Sequence, residues 1–260
     1  MKYANCPKCG TPNTGAPDQC GDCGIVYAKW FRSQLRRETP VPSGSRGGTE
    51  LSIAGRLSGL MQSERWLHVE ERVNVFEFGG RSIGLAIMAV WGVLLIQTDP
   101  RVTTGLFPEL SFYDPFISAF MLAFHEAGHV IFSFLGRFMA VAGGTLMQWL
   151  VPGSLMLAFV YKYRNPFAGA VALWLLGYSV IDAGPYCYDA RDMQLTLVGG
   201  GTGREIGGHD WNNLLRWTGL LKQHERIALL FDTVGELLII TAVTWGGWPL
   251  KLQFARLDRR

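Results

Sequence analysis

Apolar residues gather into long runs only after residue 80, and polar stretches separate those runs. The first, IGLAIMAVWGVLLI at 83–96, is uncharged but short, since a membrane crossing takes about 20 residues. A spanning helix there must recruit flanking residues. Residues 112–135 are long enough alone. Residues 138–161 are apolar but carry VPGS, Val151 to Ser154. Proline followed by glycine tends to interrupt a helix, so this run reads as a re-entrant pair of half-helices in preference to one kinked span. Further runs lie at 167–181 and at about 227–247, divided by a polar, glycine-rich stretch at 182–225. The pattern predicts an all-α polytopic membrane domain over residues 81–250, with four to six membrane segments.

The flanks differ in character. Residues 57–80 place Leu57, Leu60, Met61 and Leu67 at roughly helical spacing, as in a juxtamembrane amphipathic segment. Residues 32–56 are rich in Arg, Ser, Gly and Pro and read as a flexible linker, and 251–260 form a basic tail. Composition supports the membrane reading. Hydrophobic residues make up 48% and charged residues 17%, against roughly 25% charged in soluble proteins. The lipid bilayer is therefore the expected partner. A net charge of +3 is too mild to imply nucleic acid. Orientation follows lysine and arginine placement. Arg56, Arg65, Arg72 and Arg81 precede the first run, Arg137, Lys162 and Arg164 flank the broken one, and Lys251, Arg256, Arg259 and Arg260 follow the last. All three groups fall on one side if 138–161 re-enters, which predicts a cytoplasmic N-terminus. The opening MKYANCPKCG has no apolar core of a signal peptide, so no cleavage is expected.

Four of the five cysteines lie in the first 23 residues. Cys6 and Cys9 form one CxxC, Cys20 and Cys23 a second, and each closes with a glycine, Gly10 and Gly24. Each turn aims two thiolates at one point, and two such turns make a tetrahedral four-sulfur site. Residues 1–31 are thus expected to be a zinc ribbon of β-hairpin knuckles holding one structural zinc. A segment so small has little core, so metal binding supplies most of its folding energy. Two disulfides or a redox pair fit less well, because neither an export signal nor a thioredoxin-like βαβ context is visible. Cys187, alone in GPYCYDARD, reads as an ordinary buried thiol.

The segment AFHEAGHVIF, 123–132, sets three ionisable groups in an apolar run. His125 and His129 are four residues apart and share one helix face, within reach of a single zinc ion. Glu126 adjoins them as a general base. This is the HExxH logic of two ligands, one base and an open position for water. At 100° per residue, Asp114, Ser118, His125, His129 and Ser133 fall on one face, a polar stripe that turns to a bundle interior. Ala127 and Gly128 allow a neighbouring helix close approach.

A third zinc ligand is required, usually His, Asp or Glu. Leu135 stands where a metzincin would place it. His209, in GGHDWNNLL, is the preferred candidate, with Asp182 second and Asp210 third. Asp210 also suits the N-cap of a helix starting at Trp211, and Asp182 a helix end. Asp189 and Asp192 are weaker. The run GGGTG lacks the Lys-Ser/Thr ending of a phosphate loop and reads as an arm that folds 209–213 back over the site.

A membrane-embedded HEAGH helix with further candidate ligands resembles the site-2-protease type of intramembrane zinc metallopeptidase. The head CPKCG…CGDCGIVYAKW joined to FHEAGHVIF, DARDMQL and GGHDWNNLL resembles a group of zinc-ribbon-headed bacterial membrane proteins. The resemblance implies His125 and His129 as ligands, Glu126 as catalytic base and a bacterial cytoplasmic-membrane location. IDAG around Asp182 echoes the family's aspartate–glycine third motif, with alanine at the glycine position. The expected activity is zinc-dependent hydrolysis of peptide bonds in or near the bilayer, with a protein or peptide substrate and a possible protein partner at the ribbon. The alternatives are a non-proteolytic scaffold or metal-dependent sensor using that zinc structurally, which would not need Glu126, and a proton or metal relay involving Asp232 and Glu236.

Overall fold

The computed structural model describes residues 5–12, 18–30, 66–69, 74–97, 114–198 and 200–257; of Asp114, Pro115, Phe116 and Arg256 only the backbone is described. The expected linker, 32–56, and most of the juxtamembrane segment lie outside these residues. The chain divides into two units, Met1–Arg56 and Leu57–Arg260.

In the first unit, two CxxC turns share one geometry. The Cys6 amide donates to the Thr11 carbonyl (2.8 Å) and the Gly10 amide to the Cys6 carbonyl (2.8 Å); Cys20 and Gly24 repeat this with Ile25 and Cys20 (3.0 Å each). Gly10 and Gly24 sit at φ +76° and +66°, in the left-handed region where glycine carries no steric cost. Single antiparallel bridges, Asn5–Pro12 and Gln19–Val26, close the two turns. Among the described residues these bridges do not extend into strands, so the knuckles stand without the expected hairpins.

The second unit is helical; among the described residues five helices are long and apolar enough to cross a bilayer, and the protein is an integral membrane protein. They are α1 (Val75–Ile96), α2 (Asp114–Phe132), α3 (Arg137–Tyr161), α4 (Pro166–Tyr188) and α7 (His224–Leu257); the short α5 (Gly203–Ile206) and α6 (Asp210–Trp217) lie between α4 and α7. Helix α1 starts at Val75, behind an Asn74 side chain that accepts from the Phe76 amide (3.0 Å). It thereby supplies on its N-terminal side the residues that the run at 83–96 lacked. Helix α4 starts with Pro166 after the cap Asn165, whose side chain accepts from the Ala168 amide (3.0 Å). Between α2 and α3, a 3-10 turn ends at Gly136, where φ is +94°.

Residues 151–154 do not break α3. Pro152 is buried inside one helix of 25 residues, where two half-helices were expected. Proline removes one backbone hydrogen bond, but unwinding in an apolar medium would expose several more polar groups. The helix therefore continues.

Side-chain pairs fix the helix directions. Helices α2 and α3 are antiparallel, with His129 beside Ala140 and His125 beside Gln148. Helices α3 and α4 are antiparallel, with Gln148 on Asp182 and the Trp149 indole donating to the Ser179 carbonyl (3.2 Å). Helix α7 runs against α4, since Gly235 meets Ile181 and Gly169 meets Trp245. Helix α1 runs parallel to α4, because Arg81 lies over Phe167 and the Trp174 indole donates to the Met88 carbonyl (3.0 Å). Helices α1, α2 and α4 thus point one way, and α3 and α7 the other. Arg81, Lys162, Arg164 and Lys251 consequently share one end of the bundle. Arg137 lies at the opposite end, because α3 runs as one continuous helix; a re-entrant segment would have kept Arg137 with Lys162 and Arg164.

Helix α4 is the centre. Leu173, Trp174, Tyr178 and Ile181 form the core with Met88, Met121 and Ile239. Ile83, Ile87, Val90 and Val93 of α1 face outward, as lipid-facing residues do. Close packing depends on glycine. A Cβ on Gly177 would lie 2.9 Å from the Gly235 carbonyl oxygen and 2.9 Å from Ile239. Gly235→Val should therefore lower the thermal midpoint in detergent, at a cost of roughly 1–3 kcal/mol. Gly247→Val, whose Cβ would meet Leu85 at an ordinary 3.6 Å, should leave it nearly unchanged.

Candidate metal centre

Among the described residues two clusters can hold a metal: Cys6, Cys9, Cys20 and Cys23, and His125, His129 and Asp210. In the first, Cys6 and Cys23 sulfurs are 3.6 Å apart, and Cys9 and Cys20 sulfurs 3.7 Å. A disulfide needs about 2.05 Å. Tetrahedral coordination with metal–sulfur bonds of about 2.3 Å sets sulfurs about 3.8 Å apart, so the quartet fits a metal. Hydrogen bonding to Thr11 lowers the Cys9 thiol to about 6, and the Cys23 and Asp22 backbone lowers Cys20. The Ile25 amide pulls Cys23 down as well, but desolvation and the neighbouring sulfurs push it up to about 12. Four thiolates at one point repel, and a cation removes the repulsion.

The second cluster lies at the bundle end where α2 finishes and α3 begins. Gly128 and Gly143 bring these helices into backbone contact. A Cβ on Gly144 would come within 2.5 Å of His125 Nε2 and 2.7 Å of His129 Cε1, so only glycine leaves room for both rings. The rings lie 4.8 Å apart between centroids.

Their outer nitrogens fix which way they face. Gln148 Nε2 donates to Asp182 Oδ2 (2.7 Å), which turns Gln148 Oε1 toward His125 Nδ1 at 3.2 Å. The Ala140 carbonyl faces His129 Nδ1 at 2.8 Å. Both oxygens only accept, so both rings carry hydrogen on Nδ1, and in its neutral form each keeps a lone pair on Nε2. Both lone pairs point at one oxygen, Asp210 Oδ2, 3.1 Å from His125 and 3.3 Å from His129. Metal bonds of about 2.0–2.1 Å in tetrahedral geometry put such ligand atoms about 3.3–3.4 Å apart. Distances, tautomers and the space kept by Gly144 all fit a metal ion.

Asp210 is delivered by α6. His209, not Asp210, is the N-cap: its Nδ1 accepts the Asn212 amide (3.2 Å). Its Nε2 faces Asp189 Oδ2 at 3.4 Å, away from the cluster. Burial lowers the His209 pKa against the pull of Asp189 and Asp210, keeping the ring neutral. Asp189 also accepts the Gln194 and Leu195 amides (2.9 Å each) and so organises the turn after α4. Of the three candidate third ligands, the structure joins Asp210 to His125 and His129, and it does not join His209 or Asp182. The preference for His209 is corrected because capping occupies its ring. Asp182 touches His125 only through Gln148. Glu126 is exposed on α2. Asp192 is engaged through its carbonyl by Gln194 (3.0 Å), and buried Cys187 points at the His224 carbonyl (3.7 Å).

Sequence reasoning missed Tyr186 and Gln148. The Tyr186 hydroxyl accepts the Asp210 amide (3.0 Å) and lies 3.4 Å from Asp210 Oδ2. Its ring packs against His209, 4.3 Å between centroids. The available signal for Gln148 was a lone amide within an apolar run.

The chain matches no family model, no curated protein and no solved structure.

Two separable sites give a direct test by metal analysis of purified protein. Cys6→Ser/Cys9→Ser should remove one metal, and His125→Ala or Asp210→Ala the other. His209→Asn, which retains a capping side chain, should keep both.

Proposed function

We propose that the protein is a membrane-embedded zinc metallopeptidase that hydrolyses peptide bonds in or beside the bilayer. The observation that carries this reading is the convergence of two histidine lone pairs and the Asp210 carboxylate beside Glu126 on an apolar helix. A zinc ion held by those three groups would supply a Lewis acid and lower the pKa of a water toward neutrality.

The chain supplies the rest. Glu126 follows His125 directly, so it emerges next to the metal ligands on a flank of α2 that is exposed among the described residues. Its carboxylate takes the proton of the attacking water and returns one to the departing amine. Asp210, in the N-terminal turn of α6, neutralises part of the metal charge, and Tyr186 holds its backbone. A purely structural metal would need no such base.

The surroundings of Glu126 favour an apolar substrate segment. Leu122 and Val130, one turn on either side, are exposed on α2. An aqueous enzyme would present polar groups there, whereas a substrate arriving along the bilayer meets an apolar flank. The cysteine quartet would serve as a separate zinc-held module that recruits a protein partner or the substrate itself.

The test is Glu126→Gln in reconstituted protein, assayed against a panel of membrane-anchored peptides. Cleavage should fall by about 10²–10⁴-fold while both metals remain bound. Undiminished cleavage would overturn the mechanism, and wild-type protein without metal at His125 and His129 would overturn the reading.

A further inference from the structure

We infer that Asp182 is a positioning residue for the proposed metal centre, acting on His125 through Gln148 and never touching the metal. The inference rests on that centre being a metal site. It assigns a task to a carboxylate within an apolar helix, a placement that is costly unless the group is engaged.

The geometry runs through three helices. Asp182 projects from α4 and accepts on both oxygens: Ser118 Oγ of α2 donates to Oδ1 (3.1 Å) and Gln148 Nε2 of α3 donates to Oδ2 (2.7 Å). An amide is chemically two-faced, with a donor and an acceptor that exchange places on a half-turn. Alone, Gln148 could offer either face to His125. The carboxylate removes the choice, because it can only accept while ionised. It captures the NH₂ group and commits Oε1 to His125 Nδ1 at 3.2 Å. The ring then keeps hydrogen on Nδ1 and presents a lone pair at Nε2, the only form that binds a metal from this side. A flipped amide would oppose NH₂ to Nδ1–H and drive the ring to the other tautomer, with hydrogen where the metal must sit.

His129 needs no such device. Its Nδ1 meets the Ala140 backbone carbonyl at 2.8 Å, an acceptor that cannot flip. The two ligands are thus oriented by different means, one by the backbone and one by a side-chain relay, and only the second is open to mutation.

The relay is tested by competition between protein and chelator for Zn2+, and by Co2+ absorption as a report of coordination, with the thermal midpoint followed in parallel. Asp182→Asn, nearly isosteric, should lower affinity at the histidine centre about 10–100-fold and leave the cysteine site unchanged. The double change Asp182→Asn/Gln148→Glu should restore it, because the introduced carboxylate accepts directly from His125 Nδ1–H while the introduced amide donates to it. Ser118→Ala removes one hydrogen bond from Asp182 and should cost a few-fold. Unchanged affinity in Asp182→Asn overturns the inference, as does a loss that the double change does not rescue. If Asp182→Asn fails to fold, a folded double variant binding as wild type supports the relay and one that does not bind overturns it. Unchanged affinity in Ser118→Ala, if that variant alone folds, also counts against it. Wild-type protein without metal at this centre overturns the proposed function instead.

Discussion

Everything at the centre depends on where two hydrogen atoms sit. Each imidazole gives its Nδ1 hydrogen to an oxygen that cannot give one back, Ala140 O for His129 and Gln148 Oε1 for His125. The consequence reaches the other side of each ring, where Nε2 has only a lone pair to offer. Asp210 then completes a concentration of negative density that is unfavourable by itself. A cation bound there would turn that repulsion into binding.

The bundle exists to hold this arrangement. Helix α4 contributes nothing to the three-ligand set, yet it supplies Asp182 to the relay and Tyr186 to the Asp210 amide. Its glycine contact with α7 anchors it, and the Gly128–Gly143 contact brings α2 and α3 close enough for Ala140 to reach His129. Lipid cannot drive apolar helices together as water does, so close glycine contacts and a few interhelical hydrogen bonds decide the geometry. In this protein those hydrogen bonds are concentrated where the ligands are.

Local rules were legible in the sequence, and the choices between neighbours were not. The spacing of His125 and His129 follows from helix geometry, and the paired CxxC turns from tetrahedral coordination; both need only short-range arithmetic. The third position failed by one residue. Aspartate is the better N-cap by propensity, so Asp210 was expected to cap and His209 to ligate, and the structure exchanges the roles. A histidine Nδ1 can accept an amide nearly as well, and Asp210 is thereby released toward the cluster. The break expected at Pro152 failed for a different reason: helix rules calibrated in water understate what an unsatisfied backbone costs in lipid. The parallel run of α1 and α2 left no trace in hydropathy, which records crossings but not their direction.

Asp210 and His125 are 85 residues apart in sequence. An ion shared between them would tie the polar arm after α4 to a helix two elements earlier and so close a very long loop, and the entropy of such a closure changes only slowly with length. The Tyr186 hydroxyl already holds the start of α6 at this site, so the ion would join ends that the polypeptide has brought together and little of that closure entropy would fall on metal binding.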